Sequence, residues 1–282
     1  MTVTVDLHLH TTVSDGRLTP EELIRLTAKQ GLEVVAISDH DITDGLSDAY
    51  KTAEDYPNMT VIPAIELSTD VPGDEVHMLG YFIDYENEDF QNILGNFREG
   101  RLDRGQLMVD KLAEYGMDIE WNRVLEIAGE GSVGRPHVAL ALVEKGYFRE
   151  PKDAFDEYLC NGGLAYIERK KMGPNQGIEM LAKVGGAAVL AHPAQIVDLD
   201  RFAGELKKSG LAGMEVYYAQ YSTNTIDRLL SIAKRHDLIP CGGSDYHALG
   251  NTGEHVPGTM GPPLESVERL EAFSSNLKKA TR

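Results

Sequence analysis

Apolar residues fall along the chain in two alternating patterns. Short continuous runs such as Val34-Val35-Ala36-Ile37, Val61-Ile62-Pro63-Ala64-Ile65 and Ala187-Ala188-Val189-Leu190-Ala191 suit strands buried on both faces. Further strands are predicted at the start, Val3-Thr4-Val5 onward, and over 76–82, 213–217 and 238–241. Between them, apolar residues recur every three or four positions, the period of a helix packed on one side. Thr19-Pro20-Glu21-Glu22 reads as a helix start. Thr19 is the cap, Pro20 takes the first helical position and Glu22 completes a capping box, while Gly31 ends the helix. Other helices are predicted near 46–55, 176–184, 199–209, 223–236 and 264–273.

One stretch breaks this alternation. Residues 88–167 show helical periodicity and no strand, with helices predicted over 90–115, 120–128, 135–144 and 152–159 and glycines between them. The organisation predicted is a barrel in two parts, 1–87 and 168–282 with its tail, split by a helical insertion domain over 88–167. Seven strands mostly separated by helices predict a parallel sheet. Closed on itself it makes an α/β barrel, in which chemistry sits at the C-terminal strand ends.

Those ends carry the candidate chemistry. In Asp6-Leu7-His8-Leu9-His10, side-chain alternation points His8 and His10 one way and Leu7 and Leu9 the other. Asp15 follows in the turn Ser14-Asp15-Gly16. Later ends offer His40, Glu66, His77, His192, and Asp245 with His247. A single buried histidine is as often a satisfied core residue as a ligand. So many imidazoles and carboxylates converging without partners would be costly, which favours metal ligation. Nine nitrogen and oxygen donors exceed the needs of one ion and suit two or three. No thiolate is among them, so zinc, manganese or iron fit better than copper(I) or an iron–sulfur cluster. A carboxylate such as Glu66 can bridge two ions. Paired metals generate hydroxide at neutral pH and clamp both oxygens of an in-line displacement at phosphorus.

Composition narrows the field. With 282 residues, 42 % hydrophobic and 26 % charged, the chain can bury a sizeable core. A net charge of −18 argues against a broad basic surface for long duplex nucleic acid, though not against a small pocket for one phosphorylated ligand. Cys160 and Cys241 stand far apart and form no zinc motif. No apolar run reaches a membrane span and no secretory signal opens the chain, so a cytoplasmic protein is expected.

The motifs Asp6-Leu7-His8-Leu9-His10, Ser14-Asp15-Gly16, Ser38-Asp39-His40, Glu66, Ala191-His192-Pro193 and Gly243-Ser244-Asp245-Tyr246-His247 together resemble the PHP (polymerase and histidinol phosphatase) family of metal-dependent phosphoesterases. The resemblance spans 1–85 and 170–250 and implies a distorted (β/α)7 barrel with a trinuclear metal site. It implies His8, His10, Glu66 and Asp245 on the first metal. Glu66, His77 and His192 would hold the second, and Asp15, His40 and His247 the third. Asp15, Glu66, His192 and Asp245 would be catalytic, and Asp39 and Ser244 would orient ligands. His77 is the least tightly specified of the set, because its spacing from Glu66 varies between relatives.

Gly134-Arg135-Pro136-His137 starts a predicted helix, whose N-terminal amides favour an anion. Arg135 adds a bidentate phosphate donor and His137 a second donor, where the plainer reading is an ordinary helix cap. This segment, with Gly213-Met214-Glu215-Val216-Tyr217-Tyr218, resembles the PHP branch that removes the 3′-phosphate of nucleoside 3′,5′-bisphosphates and trims short 5′-phosphorylated RNA. Partners implied are a small phosphorylated nucleotide or short oligoribonucleotide. Histidinol-phosphate phosphatase and a non-catalytic, metal-dependent nucleotide sensor are the alternatives. Arg169-Lys170-Lys171 reads as a solvated basic turn, and His236 and His255 as surface residues.

Overall fold

The structure is a computed structural model that describes residues 3–72, 74–129, 131–168, 172–250 and 254–280. Arg169-Lys170-Lys171 lie outside them. Seven strands stand side by side in chain order: β1 Val5–Leu9, β2 Val34–Ile37, β3 Thr60–Val71, β4 Asp74–Tyr81, β5 Ala187–Leu190, β6 Gly213–Tyr218 and β7 Ile239–Gly243. The sheet curls until its edges nearly meet. The Asp245 N–H donates to the His8 carbonyl at 2.9 Å, and the His10 N–H to that of Tyr246 at 3.0 Å. Gly243 permits this seam, since a Cβ there would lie 2.5 Å from the His8 nitrogen.

The sheet is mixed, not wholly parallel as predicted. β4 runs antiparallel to both β3 and β5. The reason is its connection. β3 continues to Val71, past its predicted end at Ile65, and turns straight back into β4. A parallel return would need a crossover of about a dozen residues, and none is present. The mouth of the barrel therefore meets the beginning of β4, and His77 stands there in the first half of its strand.

The predicted alternation along β1 also fails at one point. Val5 and Leu7 join the apolar cluster shared by six of the seven strands, with Ile62, Ala64, Val189 and Cys241. Leu9 instead packs with Leu23, Ile24 and Leu46 of the covering helices. The register against β2 slips between Asp6 and Leu9, as in a β-bulge, so Leu7 and Leu9 face opposite ways.

Helices α1 (Pro20–Lys29) and α2 (Leu46–Ala53) cover the first strands. The Thr19 hydroxyl accepts the Glu22 N–H at 3.2 Å and the Glu22 carboxylate accepts that of Thr19 at 3.0 Å, completing the predicted box. Between β4 and β5 come α3 (Glu88–Glu114), α4 (Trp121–Ala128), α5 (Arg135–Glu144) and α6 (Pro151–Ala154). α6 passes into one π-helical turn, Phe155–Leu159, where a single helix is predicted. These helices share their own apolar cluster, including Met108, Leu112, Val138 and Leu142. Helices α7 (Pro174–Lys183), α8 (Leu199–Lys208) and α9 (Thr223–Arg235) alternate with the later strands, and α10 (Leu264–Ala280) adds Val267 and Leu270 to the strand cluster. No helix among the described residues is long and apolar enough to cross a membrane.

Candidate metal centre

The structure brings all nine predicted donors to one end of the barrel. At their centre is Glu66, 1 % exposed, whose two oxygens face different partners. Oε1 lies 2.9 Å from His77 Nδ1 and 3.1 Å from His192 Nε2. Oε2 lies 3.2 Å from His8 Nε2, 3.2 Å from His10 Nε2 and 3.3 Å from His40 Nδ1. Asp245 Oδ1 approaches the same two imidazoles, at 3.2 Å from His8 and 3.1 Å from His10. Asp15 faces His247 at 3.3 Å and His10 and His40 at 3.8 Å each.

Three sets of donors form groups within each of which the atoms lie within 4.8 Å of one another: His8-His10-Glu66-Asp245, His10-Asp15-His40-His247 and His40-Glu66-His77. His10 and His40 each enter two sets, so their neighbours are more shared than the sequence motifs suggest. Both ring nitrogens of His10 and Nδ1 of His40 are buried, and although carboxylate oxygens approach them, none is aligned to make a well-directed hydrogen bond. An orphaned buried nitrogen is expensive, and a divalent ion would satisfy it, so the donor chemistry fits metal ions.

Charge in the cluster is balanced locally. Burial works to raise the Asp15, Glu66 and Asp245 carboxyls, yet the surrounding imidazoles overcome it and hold all three well below the usual range. Burial would lower His77, but Glu66 and Glu75 outweigh it and lift the imidazole to about 10. Burial prevails at His40, pushed down to about 3.

The backbone contributes as well. Asp41, His192 and Asp245 adopt positive φ (55°, 27° and 54°), conformations that non-glycine residues seldom take outside functional turns. Asp39 acts at one remove. It accepts the Thr11 N–H at 2.8 Å, the Thr11 hydroxyl at 2.7 Å and the Ser14 hydroxyl at 2.5 Å, which folds the loop back and presents Asp15. The Ser244 N–H donates to Asp6 at 3.0 Å and helps fix the seam beside Asp245.

Glu215 belongs to the strand segment that resembles the phosphatase branch, but nothing in the sequence assigns it a role. It is fully buried on β6 and accepts from His8 Nδ1 at 3.0 Å and from the His192 N–H at 2.7 Å. The first bond leaves His8 Nε2 free toward Glu66 and Asp245, the usual carboxylate–histidine support of a ligand. Both oxygens accept, which an amide cannot copy. Glu215→Gln is therefore expected to weaken metal binding about 10- to 100-fold. Titration against a competing chelator measures this, and unchanged affinity would mean that His8 needs no such support. Tyr218, in the same segment, is likewise given no role by the sequence; its hydroxyl donates to Asp245 Oδ2 at 2.7 Å and leaves Oδ1 facing the imidazoles.

The helical segment meets the mouth at several places. Arg101 of α3 donates to Asp41 Oδ2 from Nε at 2.8 Å and Nη2 at 2.6 Å, and to Ser68 Oγ at 2.7 Å. The Ser132 N–H donates to the Val13 carbonyl at 2.9 Å. Arg135 Nη2 pairs with Glu75, Nη1 donates to the Leu159 carbonyl at 3.3 Å, and the guanidinium lies over the Phe155 ring. His137 is placed differently from the expectation. Its ring is 4 % exposed, Nδ1 accepts the Gly134 N–H at 2.9 Å, and the Ser14 backbone engages the ring as well. It braces the cap of α5 and offers no free donor to a ligand here. A cleft of about 660 Å3 opens between the loop after β1 and α4, lined by Ser14, Gly16, Asp44, Asp48, Ala128 and His137; none of the nine donors lines it. His236, read as a surface residue, keeps 23 % of its side-chain surface and is bonded to Asp200 at 2.8 Å.

The PHP domain family model matches residues 6–168, more than half of the chain. The chain belongs to the PHP domain family. It is 34 % identical to the 5′-3′ exoribonuclease Rnm of Salmonella typhimurium over 87 % of this chain and 85 % of that protein. It is 29 % identical to a 3′,5′-nucleoside bisphosphate phosphatase of Chromobacterium violaceum, over 92 % of this chain and 93 % of that one. A phosphoribosyl 1,2-cyclic phosphate 1,2-diphosphodiesterase of Eggerthella lenta is also 29 % identical, over 89 % and 97 %. A solved protein of Bifidobacterium adolescentis, assigned to the metal-dependent phosphoesterases, superposes with a TM-score of 0.85 at 32 % identity, covering 95 % of this chain and 96 % of that one. With this barrel, donor set and kinship, the PHP protein is a hydrolase of phosphoric esters.

Proposed function

We propose that this PHP protein is a cytoplasmic phosphatase that removes the 3′-phosphate of nucleoside 3′,5′-bisphosphates and shortens small 5′-phosphorylated RNA. The observation that carries the reading is the division of Glu66, one oxygen toward His77 and His192 and the other toward His8 and His10. A carboxylate so placed suits a bridge between two of the two or three divalent ions, manganese, iron or zinc, that these donors would hold. Bound there, such ions supply a nucleophile from water and neutralise charge developing at phosphorus.

The chain's own residues then divide the remaining tasks. His8, His10, Glu66 and Asp245 form one ligand set, Glu66, His77 and His192 a second, and Asp15, His40 and His247 a third. Arg135 anchors the phosphate that does not react, and His137 holds the helix start on which Arg135 sits. The cleft beside Ser14 carries Glu21, Asp44 and Asp48 on its walls, so it suits an uncharged nucleoside better than a phosphate. Named relatives act on a nucleoside bisphosphate and, as an exoribonuclease, on RNA, which supports this substrate class.

A phosphate-release screen tests the reading. Nucleoside 3′,5′-bisphosphates and short 5′-phosphorylated RNA are expected to turn over faster than histidinol phosphate and nucleoside monophosphates. A preference for histidinol phosphate would overturn the assignment, and no turnover of any of them by metal-loaded protein would favour a nucleotide sensor.

A further inference from the structure

Between the metal donors and the proposed phosphate anchor stands Glu75, on the first turn of β4 after the hairpin. One oxygen pairs with Arg135 Nη2, and the other lies 3.7 Å from His77 Nε2. On its far side, His77 presents Nδ1 to Glu66 at 2.9 Å. A single carboxylate therefore connects the start of α5 to a donor of the central cluster. Arg135 is restrained on three sides, by Glu75, by the Leu159 carbonyl and by the Phe155 ring. Neither Arg135 nor Glu75 is far exposed, at 20 % and 11 %. A guanidinium held this way keeps its remaining N–H groups in a fixed direction, and fixing a donor in advance strengthens what it binds.

We propose that Glu75 is a positioning residue that sets the separation between Arg135 and the metal-ligand cluster, and so selects substrates whose two phosphates match that span. The inference rests on Arg135 being the anchor of the non-reacting phosphate. Glu75 touches the anchor and a ligand, not the substrate. Its contribution is therefore realised through Arg135 and only for substrates that use Arg135. A nucleoside 3′,5′-bisphosphate spans the two points, whereas an aryl monophosphate reaches only one.

The test is a double-mutant cycle on the metal-loaded full chain, with Glu75→Ala, Arg135→Ala and the pair. Readouts are kcat and KM for adenosine 3′,5′-bisphosphate and for an aryl phosphate, calorimetric binding of adenosine 5′-monophosphate, and metal content. Glu75→Ala is expected to raise KM for the bisphosphate and weaken the 5′-monophosphate about 10-fold or more, with a smaller loss on the aryl phosphate. In the Arg135→Ala background the same change is expected to add almost nothing. Glu75→Asp, which keeps the charge and retracts it by one methylene, is expected to restore affinity only in part. Equal losses with and without Arg135, or loss of bound metal, would overturn the proposal and make Glu75 a support of His77. Tighter binding of the 5′-monophosphate by Glu75→Ala would overturn it too, since the carboxylate would then be a competitor for Arg135. If Arg135→Ala alone shows no substrate-selective loss, the anchor itself is refuted, and that failure is visible separately from the cycle.

Discussion

Glu66→Gln is expected to abolish activity while leaving the barrel folded. The substitution keeps the size of the side chain but removes the charge that five imidazoles crowd around, His8, His10, His40, His77 and His192. Losing one partner from a buried charged set costs about 3–5 kcal/mol, or on the order of a thousandfold in an affinity or rate. The Glu66 backbone bonds to Asp39 and Asp41 do not involve the carboxylate, so the strand keeps its place. Elemental analysis of wild type should find more than one divalent ion per chain and far less in the variant, with unchanged circular dichroism. Near wild-type turnover in Glu66→Gln would place the bridge elsewhere.

The second large effect is expected at Arg135, and it should depend on the substrate. Charge-assisted contacts to a phosphate contribute roughly 1.5–3 kcal/mol, which is about 10- to 150-fold. Arg135→Ala is therefore expected to lower kcat/KM by that order for a 3′,5′-bisphosphate and by much less for a generic aryl phosphate. Metal content should stay the same, because Arg135 contacts Glu75 and Leu159 and none of the nine donors. Equal losses on both substrates would show that Arg135 supports the fold or the metal centre and not a second phosphate.

Much of the site was legible because its residues sit where strands end, and strand ends follow from local apolar pattern. His40 and His192 could be placed by that logic alone, whereas Glu66, expected at a strand end, stands in the middle of β3. What the pattern could not reveal was direction. The turn from β3 into β4 is a matter of a few residues, and a short apolar run reads the same whichever way it runs. His77 therefore stood out as a donor while the reversal of its strand did not. The slip between Asp6 and Leu9 is invisible for a related reason: alternation is a rule for regular pairing, and a bulge changes the count on one strand only. Glu215 and Tyr218 stand in a recognisable segment but without legible roles, because their importance lies in what they touch across the barrel. An isolated acidic residue in an apolar strand signals a buried carboxylate, but not its partner. His137 was legible as part of a helix start, yet its cap geometry, which occupies the ring, appears only in three dimensions.

The attachments of the helical segment, Ser132 to Val13, His137 to Ser14, Gln91 to Thr43, Arg101 to Asp41 and Arg135 to Glu75, all fall on β1 to β4 or the loops that leave them. None reaches the ends of β5, β6 or β7. Exposure is uneven around the donors: His8 and His10 are sealed, His77 and Asp245 each retain 19 % of their side-chain surface, and His192 retains 32 %. The mouth is thus a half-roofed bay with one shore. The most open of the donors on which a ligand could approach is His192. A polymer meets such a bay with its terminus first, and its length remains outside in water. The same shape that discriminates by charge spacing within the bay would discriminate by chain topology at its edge.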